Sequence, residues 1–252
     1  MTNPFSLENE VALVTGGATG IGFGIARCFV EAGARVVLCS RDEEALTSAV
    51  GELGYHASRR VHDVTETDGA VDLVAGIERE IGPVSILVNN AGVHLKKPAE
   101  EVTPPEFQKL LDVHVLGAHA LTTAVGRGML ERGRGSVLFI ASMASLFGFP
   151  GVVAYSAAKS AHLGMVRTLA TEWGPRGVRV NAIAPGWIHS EMMHQAVDAD
   201  PARKAKILGR TPLGGFGDPE DVGRAATYLC SPAAKFITGV CLPVDGGAAI
   251  GF

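Results

Sequence analysis

Short runs of consecutive apolar residues alternate along this chain with longer segments in which apolar residues recur every three or four positions. The run at 11–15 reads VALVT, which is too short for a helix and continuous enough for a strand buried on both faces. The segment after it has the helical pattern, and the alternation repeats to the end of the chain. We therefore expect strands and helices to alternate.

Seven strands are predicted from the apolar runs, at positions 11–15, 35–39, 58–62, 85–88, 135–141, 178–184 and 240–244. Helices are predicted between them, and a long one begins at Pro104 and continues to about Val125. This alternation favours a parallel sheet with helices on both faces. The prediction is an α/β fold: a single Rossmann-like, doubly wound domain over residues 1–252, with a central seven-stranded parallel sheet.

Composition narrows the classes of function. The 252 residues are 47% hydrophobic with a formal charge of −4, so they can fill a large core but offer no basic surface for nucleic acid. No apolar run approaches the ~18 residues of a membrane span, and the N-terminus lacks a signal-peptide pattern, so we expect a cytoplasmic protein without membrane contact. The four cysteines have no metal-binding spacing, which predicts free buried thiols and no metal site.

A glycine-rich turn follows the first predicted strand and opens the first predicted helix. It contains Gly16, Gly20 and Gly22. Glycines let the backbone approach a pyrophosphate, and the helix N-terminus offers unpaired N–H groups and the positive end of a dipole. The alternative is a tight turn without a ligand, but the strand–turn–helix context favours nucleotide binding.

The end of the second predicted strand indicates which nucleotide is bound. An acidic residue there would bind the ribose 2′-hydroxyl of NAD, and this chain has Ser40 followed by Arg41. A guanidinium suits a 2′-phosphate, so we predict a preference for NADP(H), with NAD(H) possible. The alternative is that Arg41 points to solvent, with Asp42 and Glu43 offsetting its charge.

A tyrosine and a lysine lie one helical turn apart at Tyr155 and Lys159, and Ser142 ends the fifth predicted strand. A phenol has an unperturbed pKa of about 10, which a nearby ammonium lowers. The pair could then exchange a proton with a substrate oxygen. Alone, the spacing is more typical of a pair on a surface helix.

Several motifs share one property, since each lies at or just after the end of a predicted strand or on the helix that follows it. They are the glycine turn, the run Asn89-Asn90-Ala91-Gly92, Ser142, the pair Tyr155 and Lys159, and Pro185-Gly186. In this order they resemble the classical short-chain dehydrogenase/reductase family, over about residues 7–247. The resemblance implies hydride transfer between nicotinamide and a carbonyl carbon, with Tyr155, Ser142 and Lys159 as the catalytic residues.

The resemblance also implies a set of cofactor-binding residues: Gly16, Thr19, Gly20, Ile21, Gly22, Ser40, Arg41, Asp63, Val64, Asn90, Ala91, Gly92, Tyr155, Lys159, Pro185, Gly186, Ile188 and Ser190. Within it, Asp63 is expected at the adenine amine, although it is also suited to cap a helix. Ser190 takes the place of the family's threonine, which grips the nicotinamide carboxamide.

His114 departs from the family, which has asparagine there, on a locally perturbed helix that holds a relay water behind the lysine. The apolar stripe around it predicts that His114 faces inward. It is either a fourth catalytic residue or a core histidine, and the sequence leaves both readings open.

The substrate is the least defined feature. The expected substrate-contacting residues are Ser142, Met143, Tyr155, Trp187 and Met192, with a lid at about 190–212. Within the family, the resemblance is strongest to enzymes that act on sugar acids and polyols. The second resemblance is to reductases of 3-oxoacyl thioesters. Lys96 and Lys97 could attract a carboxylate or simply be solvated. The alternative class of protein is a regulator that binds NADP(H) without catalysing a reaction. Members of the family are mostly homotetramers or homodimers, so the resemblance implies one of these assemblies.

Overall fold

Seven parallel strands form one sheet in this computed structural model, which describes residues 3–190, 193 and 200–251. The strand order is β3-β2-β1-β4-β5-β6-β7, and each neighbouring pair is parallel. The strands are β1 (Val11–Thr15), β2 (Arg35–Ser40), β3 (Ala57–Val61), β4 (Ile86–Asn89), β5 (Gly135–Ile140), β6 (Val178–Pro185) and β7 (Cys241–Val244). The predicted doubly wound α/β fold is confirmed.

Helices connect the strands. They are α1 (Gly20–Glu31), α2 (Glu43–Leu53), α3 (Ala70–Glu80), α4 (Pro104–Leu111), α5 (Ala118–Arg132), α6 (Val153–Trp173), α7 (Pro201–Arg210) and α8 (Pro219–Cys230). No helix among the described residues is both long enough and apolar enough to cross a membrane.

The sheet is buried on both faces, which explains the continuous apolar runs. In β1, Val11 and Leu13 belong to one core cluster, whereas Ala12 and Val14 belong to a second cluster on the opposite face. Successive strand residues point to opposite faces, so both sets must be apolar when helices cover both sides.

The predicted single helix from Pro104 to about Val125 is wrong in one respect. A π-helical turn over Asp112–Gly117 separates α4 from α5. Apolar periodicity does not report this change, because one inserted residue shifts the hydrogen-bond pattern without removing the apolar face. The turn carries His114, which is 2% exposed, so the predicted inward orientation is confirmed.

The strand order reverses between β1 and β4, since the chain from β1 continues to β2 and β3 on one side and returns to β4 on the other. Ligands of such sheets bind beyond the carboxyl ends of the strands at this reversal. Residues that follow β1, β4, β5 and β6 therefore meet at one edge.

Candidate active site

The glycine turn follows β1 at this edge and leads into the N-terminus of α1. Thr19 precedes the helix with extended backbone angles, makes no side-chain cap, and the first turn of α1 has no acidic residue. A Cβ on Gly22 would lie 2.1 Å from the Gly16 carbonyl oxygen, so only glycine fits there. The Gly16 N–H donates to the Cys39 carbonyl, whereas the first N–H groups of α1 point out of the helix end, where the helix dipole favours an anion.

Asn90 and Thr15 hold the glycine turn in place. The Asn90 amide nitrogen donates to the carbonyls of Thr15 and Gly16 at 2.9 and 3.0 Å. The Thr15 hydroxyl accepts from the backbone N–H groups of Asn90 and Ala91, both at 3.0 Å, and donates to the Val88 carbonyl. Sequence reasoning missed Thr15, because its role depends on the pairing of β1 with β4.

At the end of β2, the Arg41 side chain is 68% exposed, and its guanidinium lies 3.4 Å from the carboxylate of Asp63. Asp63 also accepts from the backbone and hydroxyl of Thr65, which lower its pKa most, with a smaller effect from Arg41. Asp63 therefore closes a local turn rather than capping a helix.

The acidic residues that follow Arg41 do not neutralise it. Asp42 caps α2 by accepting from the Ala45 N–H at 2.9 Å, and Glu43 pairs with Arg59. Ser40 accepts from the Asp42 N–H through its hydroxyl. The ion-pair partner of the Arg41 guanidinium is therefore Asp63 rather than Asp42 or Glu43, and the residue before Arg41 is the small, neutral Ser40.

The loop after β6 reaches the glycine turn. A Cβ on Gly20 would lie 3.8 Å from the Ser190 Cβ, so these distant residues are neighbours. The Gly186 N–H donates to the Val244 carbonyl, which extends the β6–β7 pairing beyond Pro185, and Ile188 is buried. Pro185, Gly186, Ile188 and Ser190 therefore follow one ordered path beside the predicted nucleotide site.

Ser142 and Tyr155 are brought together by β5 and α6. Ser142 follows β5 in extended conformation, its hydroxyl accepts from the Ala144 N–H at 3.1 Å, and it lies close enough to the Tyr155 phenol to lower the pKa of that group. Burial raises the pKa of Tyr155, and the Ser142 hydroxyl offsets this in part. Both hydroxyls therefore face the same point, as two groups acting on one substrate oxygen must.

Lys159 lies beside the Tyr155 ring, and its effect on the pKa of the phenol stays a prediction. Its Nζ lies 5.8 Å from the centre of the phenol ring and donates to the Ile140 carbonyl at 2.6 Å. Lys159 is 3% exposed, and burial lowers its own pKa to about 7. The ammonium is therefore only partly populated near neutrality, which weakens its effect on the phenol.

His114 lies directly behind the tyrosine. Its ring meets the Tyr155 ring edge-on, with centroids 5.6 Å apart. Its Nε2 lies 2.8 Å from the Val93 carbonyl, and burial together with Lys159 lowers the pKa of His114 to about 3. His114 is thus neutral, and it links the π turn to the loop after Gly92.

Two histidines that the sequence did not single out also lie here. The His94 ring lies 5.0 Å from the Tyr155 ring on the exposed side, and desolvation lowers its pKa, with smaller effects from Arg203 and Lys96. His162 is 1% exposed on α6. Only its position one turn after Lys159 could have indicated it.

The side chains of the predicted substrate wall differ in exposure. Met143 is 4% exposed and offers little surface, whereas Trp187 is half-buried and lies 5.6 Å from the guanidinium of Arg203 on α7. Met192 lies outside the described residues. The predicted lid at 190–212 is described only at Ser190, at 193 and from 200 onward, where α7 buries Ile207.

The remaining predicted cofactor residues lie along the same edge. Ile21 stands in the first turn of α1, and Ala91 and Gly92 continue from β4 toward His114. Val64 is 9% exposed, so its side chain belongs to the core and only its backbone could face a ligand. These residues fit a dinucleotide: the glycine turn would hold its phosphates, and the residues predicted to transfer the proton lie beyond β5.

A family model described as enoyl-(acyl carrier protein) reductase matches residues 16–249. Gluconate 5-dehydrogenase of Gluconobacter oxydans is 39% identical over 99% of both chains. Galactitol 2-dehydrogenase (L-tagatose-forming) of Cereibacter sphaeroides is 39% identical over 96% of both.

A solved structure agrees with these relatives. The crystal structure of gluconate 5-dehydrogenase from Burkholderia cenocepacia, in complex with NADP and tartrate, superposes with a TM-score of 0.93 at 33% identity, covering 99% of this chain and 98% of that one. The chain therefore belongs to the classical short-chain dehydrogenase/reductase family of oxidoreductases.

Proposed function

We propose that this protein is an NADP(H)-dependent oxidoreductase that interconverts a secondary alcohol and a ketone. The observation that carries the proposal is the convergence of the Ser142 hydroxyl on the Tyr155 phenol, with Lys159 one turn away on the same helix. These groups lie at the sheet edge where the glycine turn begins α1. Family membership supports the same reaction class.

In this proposal each residue has one task. The nicotinamide, when bound, supplies or accepts the hydride. Tyr155 gives or takes the proton at the substrate oxygen, and Ser142 hydrogen-bonds that oxygen as charge develops on it. Lys159 would hold the ribose hydroxyls and complete the charge balance around the phenol. His114 stays neutral and supports the Tyr155 ring from behind.

NADP(H) is preferred because Ser40 leaves room for a 2′-phosphate and Arg41 supplies its charge partner. Neither Asp42 nor Glu43 competes for that guanidinium, since one caps α2 and the other pairs with Arg59. The bound NADP in the Burkholderia cenocepacia relative supports this choice. NAD(H) remains possible at lower affinity.

We propose a sugar acid or polyol as the substrate. The Gluconobacter oxydans and Cereibacter sphaeroides relatives are named for gluconate and galactitol, and tartrate is bound in the solved structure. Lys97 pairs with both carboxylate oxygens of Glu106 at 3.1 Å, so it is not available to a substrate. Lys96 is exposed, and its charge lowers the pKa of His94 beside Tyr155, so Lys96 is the better carboxylate partner.

The test is nicotinamide absorbance with NADP(H) and NAD(H) in parallel, across sugar acids, polyols, β-ketoacyl thioesters and simple ketones. Lys96→Ala should raise KM about fivefold for acids and leave neutral polyols unchanged, as removal of an exposed charge pair does. Lys97→Ala is the matched control and should leave KM unchanged. Equal effects of the two variants would contradict the role of Lys96.

A second candidate is reduction of 3-oxoacyl thioesters. The loop after Ser142 presents Leu146, which is 42% exposed, and the adjoining Phe147 and Phe149 rings lie 4.8 Å apart. An apolar chain would suit this surface, and the matching family model is described for an acyl-carrier substrate. Turnover of thioesters and not sugars in the same panel would select this candidate.

Silence of every substrate with intact NADP(H) binding would favour the sensing regulator instead. The presence of Ser142, Tyr155 and Lys159 together supports an enzyme.

Four further features remain predictions: a homotetramer or homodimer, a cytoplasmic location, a single domain and a lid at 190–212. The oligomeric state is measured by light scattering of the purified chain.

A further inference from the structure

A buried hydrogen bond ties α6 to the π turn. The Nε2 of His162 lies 2.7 Å from the carbonyl oxygen of His114. A carbonyl can only accept, so Nε2 carries the proton and donates. His162 stands one helical turn after Lys159, and Phe139 of β5 covers its ring at 5.2 Å. The bond therefore joins the helix that carries Tyr155 and Lys159 to a backbone atom on another element.

The π turn makes this carbonyl available. The N–H of Ala118, which would donate to His114 in an α-helix, donates to the Val115 carbonyl instead. A buried carbonyl without a donor is costly. His162 supplies a donor from a different helix.

The same residue, His114, continues the connection through its ring. Its Nε2 lies 2.8 Å from the Val93 carbonyl and 3.2 Å from the Val93 N–H, so the ring contacts the backbone of Val93 in either neutral tautomer. The ring also meets Tyr155 edge-on. A path of close contacts therefore runs from His162 through the π turn to the Tyr155 ring and to the loop after Gly92.

A narrow gap lies between the π turn and His162. His114, His162, Asn89 and Thr15 are among the residues that line this gap, and it does not accommodate a water molecule. Among the described residues, the titratable side chains that interact with Lys159 are Tyr155, His114 and His162. The imidazole of His162 thus fills volume that solvent would otherwise enter.

We propose that His162 is a positioning residue for the reaction. Its bond to the His114 carbonyl fixes the π turn, and through the His114 ring it fixes the Tyr155 phenol and Val93, while its bulk keeps water away from the rear of Lys159. This inference rests on the proposed function, because it assigns the residue to that same site. It also gives the two neutral histidines one shared role.

Three substitutions of His162 separate the effect of its hydrogen-bond donor from the effect of its side-chain volume. His162→Leu removes the donor and keeps most of the volume, so kcat should fall about tenfold to a hundredfold, as expected for a buried carbonyl left unpaired. His162→Gln retains an N–H donor and should recover most of this loss. The Kd of NADP(H) should stay within about twofold in both, because the glycine turn and Arg41 are separate from these contacts.

His162→Ala tests the dry environment. The smaller side chain admits water, so the pKa of Lys159 should rise toward its usual range. If the protonated lysine is required, the alkaline limb of kcat/KM moves to higher pH. Hydration of Tyr155 would instead lower the pKa of the phenol and move the limb to lower pH, and that direction would overturn the assignment to Lys159.

The matched control is His119→Leu, since His119 is exposed on α5 near the same turn and should leave every parameter unchanged. A purely structural role predicts a different pattern: kcat would follow thermal stability in all variants, His162→Gln would be no better than His162→Leu, and the pH limb would not move. That pattern would overturn the proposal.

A measurement without turnover keeps the two proposals separate. Long-range proton–nitrogen spectra of histidine-labelled protein should show His162 as a neutral Nε2–H tautomer down to about pH 5.5, below the unperturbed histidine pKa. The signal that disappears in the His162→Gln variant is thereby assigned to His162. Titration of His162 above this pH, or an Nδ1–H tautomer, would refute the positioning bond. Inactivity of the wild type across the substrate panel would refute the proposed function alone.

Discussion

Replacement of Arg41 by alanine should weaken NADP(H) binding and leave NAD(H) binding nearly unchanged. The guanidinium stands at the end of β2, where the ribose of a bound dinucleotide is expected, and NADP and NAD differ only by the 2′-phosphate at that ribose. The guanidinium pairs with the Asp63 carboxylate, and the N···O distance of 3.4 Å is long for such a pair. The arginine can therefore turn to a phosphate at small cost.

The magnitude follows from the exposure of the side chain. A charge-assisted hydrogen bond contributes about 1.5–3 kcal/mol when it is well shielded. The Arg41 side chain is 68% exposed, so water and salt screen the pair and the lower end applies. A loss of about 1–2 kcal/mol corresponds to an increase of roughly fivefold to thirtyfold in the Kd of NADP(H).

The assay is titration of the enhanced fluorescence of NADPH and NADH at two salt concentrations. Arg59→Ala is the matched control, since it removes the same charge from neighbouring β3, where Arg59 pairs with Glu43. The wild-type preference should shrink as salt rises, and that of Arg41→Ala should not. An equal loss of affinity for both nucleotides, or no loss for NADPH, would refute the role of Arg41.

Two further predictions concern the catalytic helix. Tyr155→Phe keeps the ring contacts with His94 and His114 but removes the proton, so turnover should vanish while NADPH affinity persists; wild-type-like rates would exclude Tyr155 as the acid–base. Lys159 has a folded-state pKa of about 7 and an unfolded value near its ordinary 10.5, so the unfolded chain binds more protons between them and stability rises with pH there. Denaturant unfolding of wild type minus Lys159→Met should show this rise, on the order of 1 kcal/mol per pH unit from neutrality upward, and a flat difference would contradict the burial effect.

Local patterns were sufficient for the architecture. A strand covered on both faces must be apolar at every position, so β1, β5 and β6 were recognisable as short continuous runs. The glycine turn was recognisable because close backbone approach to Gly16 leaves no space for a Cβ at Gly22. These constraints act between residues that are close in sequence, so they can be predicted from the sequence alone.

Interactions between distant elements decided the rest. Nothing near Lys97 in sequence indicates that Glu106 neutralises it, and nothing near Thr15 indicates that it anchors Asn90. The ionisation of Lys159 likewise depends on burial, which the spacing of Tyr155 and Lys159 does not report.

His114 shows most clearly which properties the local sequence determines and which depend on tertiary packing. Its apolar stripe determined that it faces inward, and the sequence left open whether it is catalytic or structural. Its neutral state, its place on a π turn and the bond from His162 to its carbonyl appear only once α6 packs against that turn. Local sequence determines which face of each element is buried. Tertiary packing determines which polar groups meet there, because hydrogen bonding and desolvation depend on neighbours that are far away along the chain.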